Sequence, residues 1–172
     1  MQRRDLIEEL YDASYGRLVV QMLALCGSQA EAEDAVQEAF VEALRHRDRL
    51  AHADRPEAWL RTVALNRLRN RWRHAKVARR LLAQVPGPRA ALGMTPDHVA
   101  LVAALQQLDH ATREIVVLHH LADLQVQEIA DQLGLPAGTV KSRPARGRAH
   151  LAGLLDDRAD DKQCDREAEP HG

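Results

Sequence analysis

The chain has 172 residues, enough for one or two small domains that each bury a core, and short for a large enzyme. Aromatic residues make up only 3% of the chain while alanine, leucine and arginine abound, a composition that favours helices over strands. The formal net charge of −1 does not by itself exclude a charged partner, because the two signs are segregated along the sequence.

Charge changes sign near residue 45. Residues 1–44 hold nine acidic residues against three arginines, and residues 45–76 hold ten basic residues against three acidic ones. The first segment therefore suits a basic protein partner and the second suits a polyanion.

Cysteine usage and hydropathy point to the cytoplasm. Cys26 and Cys164 are far apart in sequence, so no disulfide framework is expected. No apolar run approaches the roughly 20 residues that a bilayer requires, and the N-terminus lacks the apolar segment of a secretion signal. We expect a soluble, cytoplasmic protein without membrane insertion.

Two helices are predicted first, from Leu6 to Leu25 and from Glu31 to about Arg47. Gly27 ends the first helix, and Ser28 with Glu31 supplies a cap and a first-turn acid for the second. A wide apolar arc on the second helix leaves a polar border that faces outward. The members of this border are Asp34, Gln37, Glu38, Val41 and Glu42.

A loop, residues 46–56, precedes a third predicted helix from about Glu57 to Ala78. Apolar residues at steps of four, from Leu60 to Trp72, are expected to face inward. For Trp72 we favour core packing over base stacking. For Trp59 the sequence favours neither role. A second face combines amides that can pair with bases and arginines that can reach phosphates. It consists of Thr62, Asn66, Arg69, Asn70 and Arg73.

Proline and glycine break the pattern over residues 79–95, which we interpret as a flexible linker. A second domain, residues 96–155, follows with helices at 97–108 and 111–121 and two more beyond. Residues 156–172 are acidic and almost without apolar side chains, so we expect them to be disordered. The predicted fold class is all-α, with two small helical domains, residues 1–78 and 96–155.

The last two helices of that second domain have the pattern of a helix-turn-helix. Ala130 is small where the helices cross, Gly134 can adopt the positive φ of the turn, and Val140 faces inward from the second helix. The outward side of the second helix is basic, and no acid occurs between Asp131 and Asp156, which favours binding to a major groove. Its polar residues are Thr139, Lys141, Ser142, Arg143, Arg146 and Arg148.

Catalytic and metal-binding signatures are missing from the sequence. His119 and His120 are adjacent, so a helix directs them about 100° apart, and no H-E-x-x-H, C-x-x-C or phosphate-binding glycine loop occurs. We therefore predict neither an enzyme nor a metal or cofactor site.

Three ordered motifs carry a family resemblance: DAVQEAF (34–40), RPEAWLRTVALNRLRN (55–70) and EIADQLGLPAGTVKSR (128–143). Together they resemble the extracytoplasmic-function (ECF) group of bacterial sigma-70-like sigma factors, the two-domain initiation factors of RNA polymerase. The resemblance covers about residues 5–155. It implies a region 2 bundle, a region 4 helix-turn-helix, and core RNA polymerase (β′ clamp helices and β flap) and promoter DNA as partners, with an anti-sigma factor as a further candidate partner.

The resemblance also assigns residues. The first motif would dock on the clamp helices of the polymerase β′ subunit, with Asp34, Gln37, Glu38 and Phe40 at or beside the contact. The −10 element would be read by the third helix and the loop before it, through Leu50, His52, Asp54, Arg55, Trp59, Asn66, Arg69, Asn70 and Arg73. The −35 element would be read by Thr139, Lys141, Ser142, Arg143, Ala145 and Arg146.

Three positions depart from the family pattern. Pro144 stands where a large aliphatic residue is usual and predicts a bend near residues 140–144. Gly147 stands where alanine is usual and is expected to cost up to about 1 kcal/mol of helix stability. Gln125 replaces a serine cap, which is expected to leave Glu128 without a capping partner.

Two alternatives remain at this stage. One is an ordinary helix-turn-helix transcriptional regulator with an N-terminal sensor or dimerisation bundle, although such a bundle has no need of an acidic face followed by an Asn/Arg face. The other is a protein-binding helical module without DNA contact, which the acid-free basic helix disfavours.

Overall fold

The structure, a computed structural model, describes residues 2–79 and 95–167, and the side chains within residues 6–74 and 95–154. Throughout these residues the chain forms helices and no strand, which confirms the all-α class. It divides into two compact units, residues 1–92 and 93–172. The predicted linker lies almost entirely outside the described residues.

The first unit contains four helices: α1 (Gln2–Cys26), α2 (Gln29–Arg45), α3 (Arg47–Ala51) and α4 (Pro56–Arg79). Gly27 ends α1 with a φ of 73°, and the Ser28 hydroxyl caps α2 by accepting a hydrogen bond from the Glu31 N–H at 3.4 Å, as predicted. Helix α2 packs against both α1 and α4. Small side chains make this possible, since Ala35, Ala39 and Ala43 are fully buried.

The segment predicted as a loop before α4 contains the short helix α3, and this changes the role of Leu50. Leu50 is only 1% exposed and belongs to the core. Its assignment as a −10 contact is therefore wrong, because the turn of α3 directs its side chain inward.

The second unit also contains four helices: α5 (Pro96–Leu105), α6 (His110–His120), α7 (Val126–Leu133) and α8 (Ala137–Glu167). Helices α7 and α8 form the predicted helix-turn-helix, with Gly134 left-handed at φ 65° and Ala130 and Val140 buried at the crossing. Ile115, Leu118, Leu124 and Ile129 complete the core beneath them.

Arg113 joins α6 to the end of α5. Its Nε donates to the Leu105 carbonyl at 2.9 Å, and its Nη2 donates to the carbonyls of Gln106 and Leu108 at 3.0 and 2.9 Å. These carbonyls lie at or just beyond the C-terminus of α5, where helical donors run out, although the Leu105 oxygen also accepts a backbone N–H, that of Leu108 at 3.1 Å. One guanidinium therefore satisfies the end of α5 and fixes the approach of α6.

Two predictions about the ends of the helix-turn-helix are wrong. Glu128 does have a capping partner, because its Oε2 accepts the backbone N–H of Gln125 at 2.9 Å, a donor that every residue except proline supplies. The acidic segment after residue 155 was expected to lack regular structure, yet α8 continues to Glu167, and residues 168–172 lie outside the described residues. Helix α8 also runs through Pro144, whose side chain is buried; the predicted bend there stays a prediction.

Gly147 marks a close approach of α8 to α6. A Cβ atom at this position would lie 2.4 Å from Val116 Cγ2 and 3.3 Å from Thr112 Cγ2. The expectation that glycine only costs helix stability here is therefore incomplete, because alanine would not fit without a shift of Val116. The absent side chain is what allows the two helices to pack.

We expect Gly147→Ala to lower the free energy of unfolding by about 1–3 kcal/mol, the usual cost of overpacking. Gly153→Ala is the matched control, because a Cβ at Gly153 meets nothing within 4 Å on the same helix, and alanine is the better helix former. Denaturant unfolding of the full chain, followed by circular dichroism, measures both variants. A Gly147→Ala variant as stable as Gly153→Ala would mean that α6 and α8 do not pack this closely.

Candidate functional surfaces

The outer side of α2 carries the predicted polymerase contact. Asp34 and Gln37 are exposed, and the Glu38 side chain is 45% exposed. Two large apolar residues lie on the same side: Val41, which the sequence placed on the outward border, and Leu44, which sequence reasoning did not assign; they are 46% and 45% exposed. We call these five residues the α2 face: an apolar centre beside polar and acidic groups, the composition of a protein-binding patch.

Phe40 does not belong to that face. It is only 5% exposed and contacts two rings of α1, with centroids 5.0 Å from Tyr11 and 6.3 Å from Tyr15. Phe40 therefore lies behind the α2 face, and its predicted place at or beside the polymerase contact stays a prediction. Its aromatic packing fixes α2 on α1, and so determines which side of α2 is presented.

Arginines of α4 lie beside the α2 acids. Glu38 Oε1 accepts from Arg71 Nη2 at 2.7 Å, and Glu38 Oε2 lies 3.5 Å from Arg67 Nε. Arg71 Nη1 lies 3.6 Å from Asp34 Oδ2, and Arg67 Nη2 lies 3.5 Å from Glu42 Oε2. We call this network the α2–α4 ion ladder; it compensates the acidic charge that the sequence places on α2.

The predicted −10 face of α4 is accessible. Asn66, Asn70 and Arg73 are exposed and Arg69 is half-buried, whereas Leu60, Ala64 and Leu68 on the opposite side are fully buried. Arg73 donates a hydrogen bond to Asn70 Oδ1. Both asparagines are exposed, so amide donors and acceptors on this face are accessible to the edge of an unstacked base. Trp59 and Trp72 are both half-buried.

The segment between α3 and α4 adds three exposed residues: His52, Asp54 and Arg55. The His52 ring is held by its Nδ1, which lies 2.6 Å from the Asp48 carbonyl oxygen. Of the residues before α4 that were assigned to the −10 element, only Leu50, which lies in α3, is buried.

Arg61 anchors the start of α4, and sequence reasoning missed it. The residue is 5% exposed; its Nε donates to Gln21 Oε1 on α1 at 2.9 Å, and its Nη2 lies 3.3 Å from Glu57 Oε1. Arg17 of α1 pairs with the other Glu57 oxygen at 2.6 Å. Burial lowers the pKa of Arg61 while Glu57 opposes that shift. No sequence period singles out a buried arginine: Glu57 is only four residues away, but Gln21, the partner on α1, is 40 residues away.

The predicted −35 residues divide into two groups. Lys141, Ser142, Ala145 and Arg146 are exposed on α8, as a groove-reading helix requires. Thr139 and Arg143 are half-buried. Arg143 lines an open depression of about 420 Å³ together with Asp109, Thr112, Gly147 and His150, and its Nη1 is buried.

Asp109 sits at the start of α6 beside this depression. Its carboxylate caps the helix by accepting the Thr112 N–H at 3.0 Å. Hydrogen bonds from Thr112 lower the pKa of Asp109, and the charge of Arg143 adds a smaller contribution in the same direction. Arg143 is thus directed partly toward α6. Arg146 also lines the depression but is exposed, so the groove-facing side of α8 is best represented by the four exposed residues.

The described histidines do not form a cluster with other metal-ligating side chains. Within the described residues no group of three or more histidine, cysteine or carboxylate side chains could hold a metal ion. His119 and His120 lie edge to face with ring centroids 4.7 Å apart, and His119 Nδ1 is 3.0 Å from the Leu124 carbonyl oxygen. None of the described helices is both long and apolar enough to cross a bilayer.

Comparison with known proteins decides between the alternatives. The family models for sigma-70 region 2 and sigma-70 region 4 match residues 10–78 and 98–151. The ECF RNA polymerase sigma factor SigL of Mycobacterium tuberculosis is 34% identical over 146 residues, which cover 80% of this chain and 82% of SigL. The chain belongs to the ECF RNA polymerase sigma factors. A sensor bundle is set aside, because region 2 occupies the residues that such a bundle would need.

Solved structures agree with this assignment. The sigma factor RpoE, in a co-crystal with the anti-sigma factor NepR from Bartonella quintana, superposes with a TM-score of 0.70 at 24% identity, covering 87% of this chain and 96% of that one. CnrH in complex with the cytosolic domain of CnrY gives a TM-score of 0.64 at 26% identity, covering 90% of each chain. The first similarity establishes a shared fold, and the second adds sequence support.

Proposed function

We propose that this sigma factor binds core RNA polymerase through the α2 face and directs it to promoters that it reads with α4 and α8. The observation that carries the proposal is the α2 face itself. Val41 and Leu44 are large apolar side chains exposed between polar neighbours on a helix whose other sides are buried. Exposed apolar groups of this kind gain from burial against a protein partner at roughly 25 cal/mol per Å².

The −10 element would be held as single-stranded DNA. Extruding a base from the duplex costs a few kcal/mol, so the protein must offer hydrogen bonds and stacking surface in return. Asn66 and Asn70 supply amide groups, and Arg69 and Arg73 supply guanidinium groups for phosphates or base faces. All four lie on one side of a helix that is anchored to α1 through Arg61.

The −35 element would be read as duplex DNA by the exposed first turns of α8. Lys141 and Arg146 are placed to reach phosphates or guanine edges, with Ser142 and Ala145 between them. A bidentate arginine–guanine contact is worth about 1–3 kcal/mol of discrimination. RNA synthesis would be catalysed by the polymerase, so we assign no catalytic residue or cofactor to this chain.

An inhibitory protein is the further partner that we propose. Two structural relatives, RpoE and CnrH, were solved in complexes, with the anti-sigma factor NepR and with the cytosolic domain of CnrY respectively. A protein of the same kind would cover polymerase- and DNA-binding surfaces of this chain. We propose that this sigma factor acts in the cytoplasm, where polymerase and its template are found.

The proposed function is tested by transcription with purified components. The full chain and core polymerase, incubated with a library of genomic fragments, should produce run-off transcripts with discrete starting points that core polymerase alone does not produce. Failure of the chain to bind core polymerase in a fluorescence titration would contradict the proposal.

Asn66→Ala separates DNA reading from polymerase binding. Loss of a paired hydrogen bond to a base costs about 1–3 kcal/mol, so we expect open-complex formation to fall by roughly tenfold while core binding stays at the wild-type level. Permanganate footprinting of the melted region measures the first quantity, and a titration with core polymerase measures the second. An equal loss of both would show that Asn66 has a structural role instead.

A further inference from the structure

We propose that Arg67 and Arg71 limit the affinity of this protein for core polymerase by holding the α2 carboxylates in internal ion pairs that docking must break. The inference rests on the proposed docking role of the α2 face. It assigns to two residues of α4 a function that neither the sequence motifs nor the family matches give them.

Glu38 is the centre of the argument. One of its oxygens accepts from Arg71 Nη2 at 2.7 Å, and the other lies 3.5 Å from Arg67 Nε. Both oxygens of this carboxylate therefore face α4 rather than a partner. A basic side chain of polymerase can form a short, charge-assisted contact with Glu38 only by displacing one of the two guanidinium groups or by sharing an oxygen with it.

The neighbouring acids are engaged in the same way. Asp34 Oδ2 lies 3.6 Å from Arg71, and Glu42 Oε2 lies 3.5 Å from Arg67 and 3.4 Å from Arg45. The other Glu42 oxygen lies 2.9 Å from His46 Nε2. The acids recur every four residues on α2 and the two arginines are four apart on α4, so each arginine spans two successive carboxylates.

The consequence is a docking surface with little net charge. Three carboxylates of the ladder are matched by its two guanidinium groups together with that of Arg45 on α2, so little of the acidic surplus of residues 1–44 is left uncompensated at these three positions. Long-range attraction of a basic partner depends on uncompensated charge. Arg67 and Arg71 thus reduce both the attraction before contact and the number of carboxylates available on contact.

The exposure of the ladder indicates that its arginines compete with polymerase for the carboxylates and do not serve mainly to stabilise the fold. The side chains of Arg67 and Arg71 are 40% and 33% exposed, and that of Glu38 is 45% exposed. Ion pairs with this much access to water add little to fold stability. Helices α2 and α4 pack against each other and both carry fully buried apolar side chains, so the arginines can be replaced without removing that apolar core.

The test is the affinity of the full chain for purified core polymerase, measured by fluorescence titration without DNA. For Arg67→Gln/Arg71→Gln we expect binding roughly 2–10-fold tighter than wild type, because that is the change in affinity expected from removing two weak ion pairs. Binding by the double variant should also depend more steeply on salt concentration. Arg49→Gln is the matched control, because Arg49 is an exposed arginine of α3 outside the ladder, and its loss should leave the affinity close to wild type. Adding Glu38→Gln to the double variant should remove most of the gain.

Equal or weaker binding by the double variant overturns the inference, since it would mean that the arginines are neutral or hold Glu38 in the docking geometry. Circular dichroism reports whether the double variant is folded. If it is not, Arg71→Gln alone decides the question, because Arg71 contacts both Asp34 and Glu38. Failure of the wild-type chain to bind core polymerase would count against the proposed function as a whole, a result distinct from unchanged binding by the variants.

Discussion

The structure of the first unit depends on the close packing of α2 between α1 and α4. Helix α2 can occupy that position because its inward residues are small: Ala32, Ala35, Ala39 and Ala43 have no measurable exposure. Small side chains let neighbouring helices approach on two sides, and dispersion contacts then accumulate over the whole length of the helix. Once those two sides are buried, only one side of α2 remains for a partner. The same packing holds α4, so the residues proposed to dock polymerase and those proposed to read the −10 element are positioned by a common core.

Electrostatics modifies what the sequence composition indicates. A count of acids over residues 1–44 indicates a negative surface, yet the acids on the proposed docking surface are paired with arginines from residues 45–76. The two oppositely charged segments compensate each other within the fold before either meets a partner. Net charge along a sequence is therefore a poor measure of surface charge wherever two helices of opposite sign pack side by side. Each single contact is weak, but together they determine whether a carboxylate is available for binding.

Local sequence signals predicted most of the architecture. The Ser28 cap, the turn at Gly134 and the small residue Ala130 at the helix crossing act within a few residues, so their physical requirements can be recognised in the sequence alone. The features that sequence reasoning missed involve contacts between residues that are distant in sequence. Phe40 is buried because Tyr11 and Tyr15 lie across α1, and Gly147 is required because Val116 lies against it on α6. Leu50 was misassigned for a related reason, since the short helix α3 has too few residues for a periodic signal.

The central claim, that the exposed side of α2 is where core polymerase docks, is tested most directly by site-specific photocrosslinking. A photoreactive residue in place of Gln37, which is exposed on the α2 face, should crosslink the full chain to the β′ subunit of core polymerase in solution. The same residue in place of Val20, which is 54% exposed on α1, serves as the comparison and should give much less of that product. Crosslinking to β′ from position 20 but not from position 37 would contradict the account.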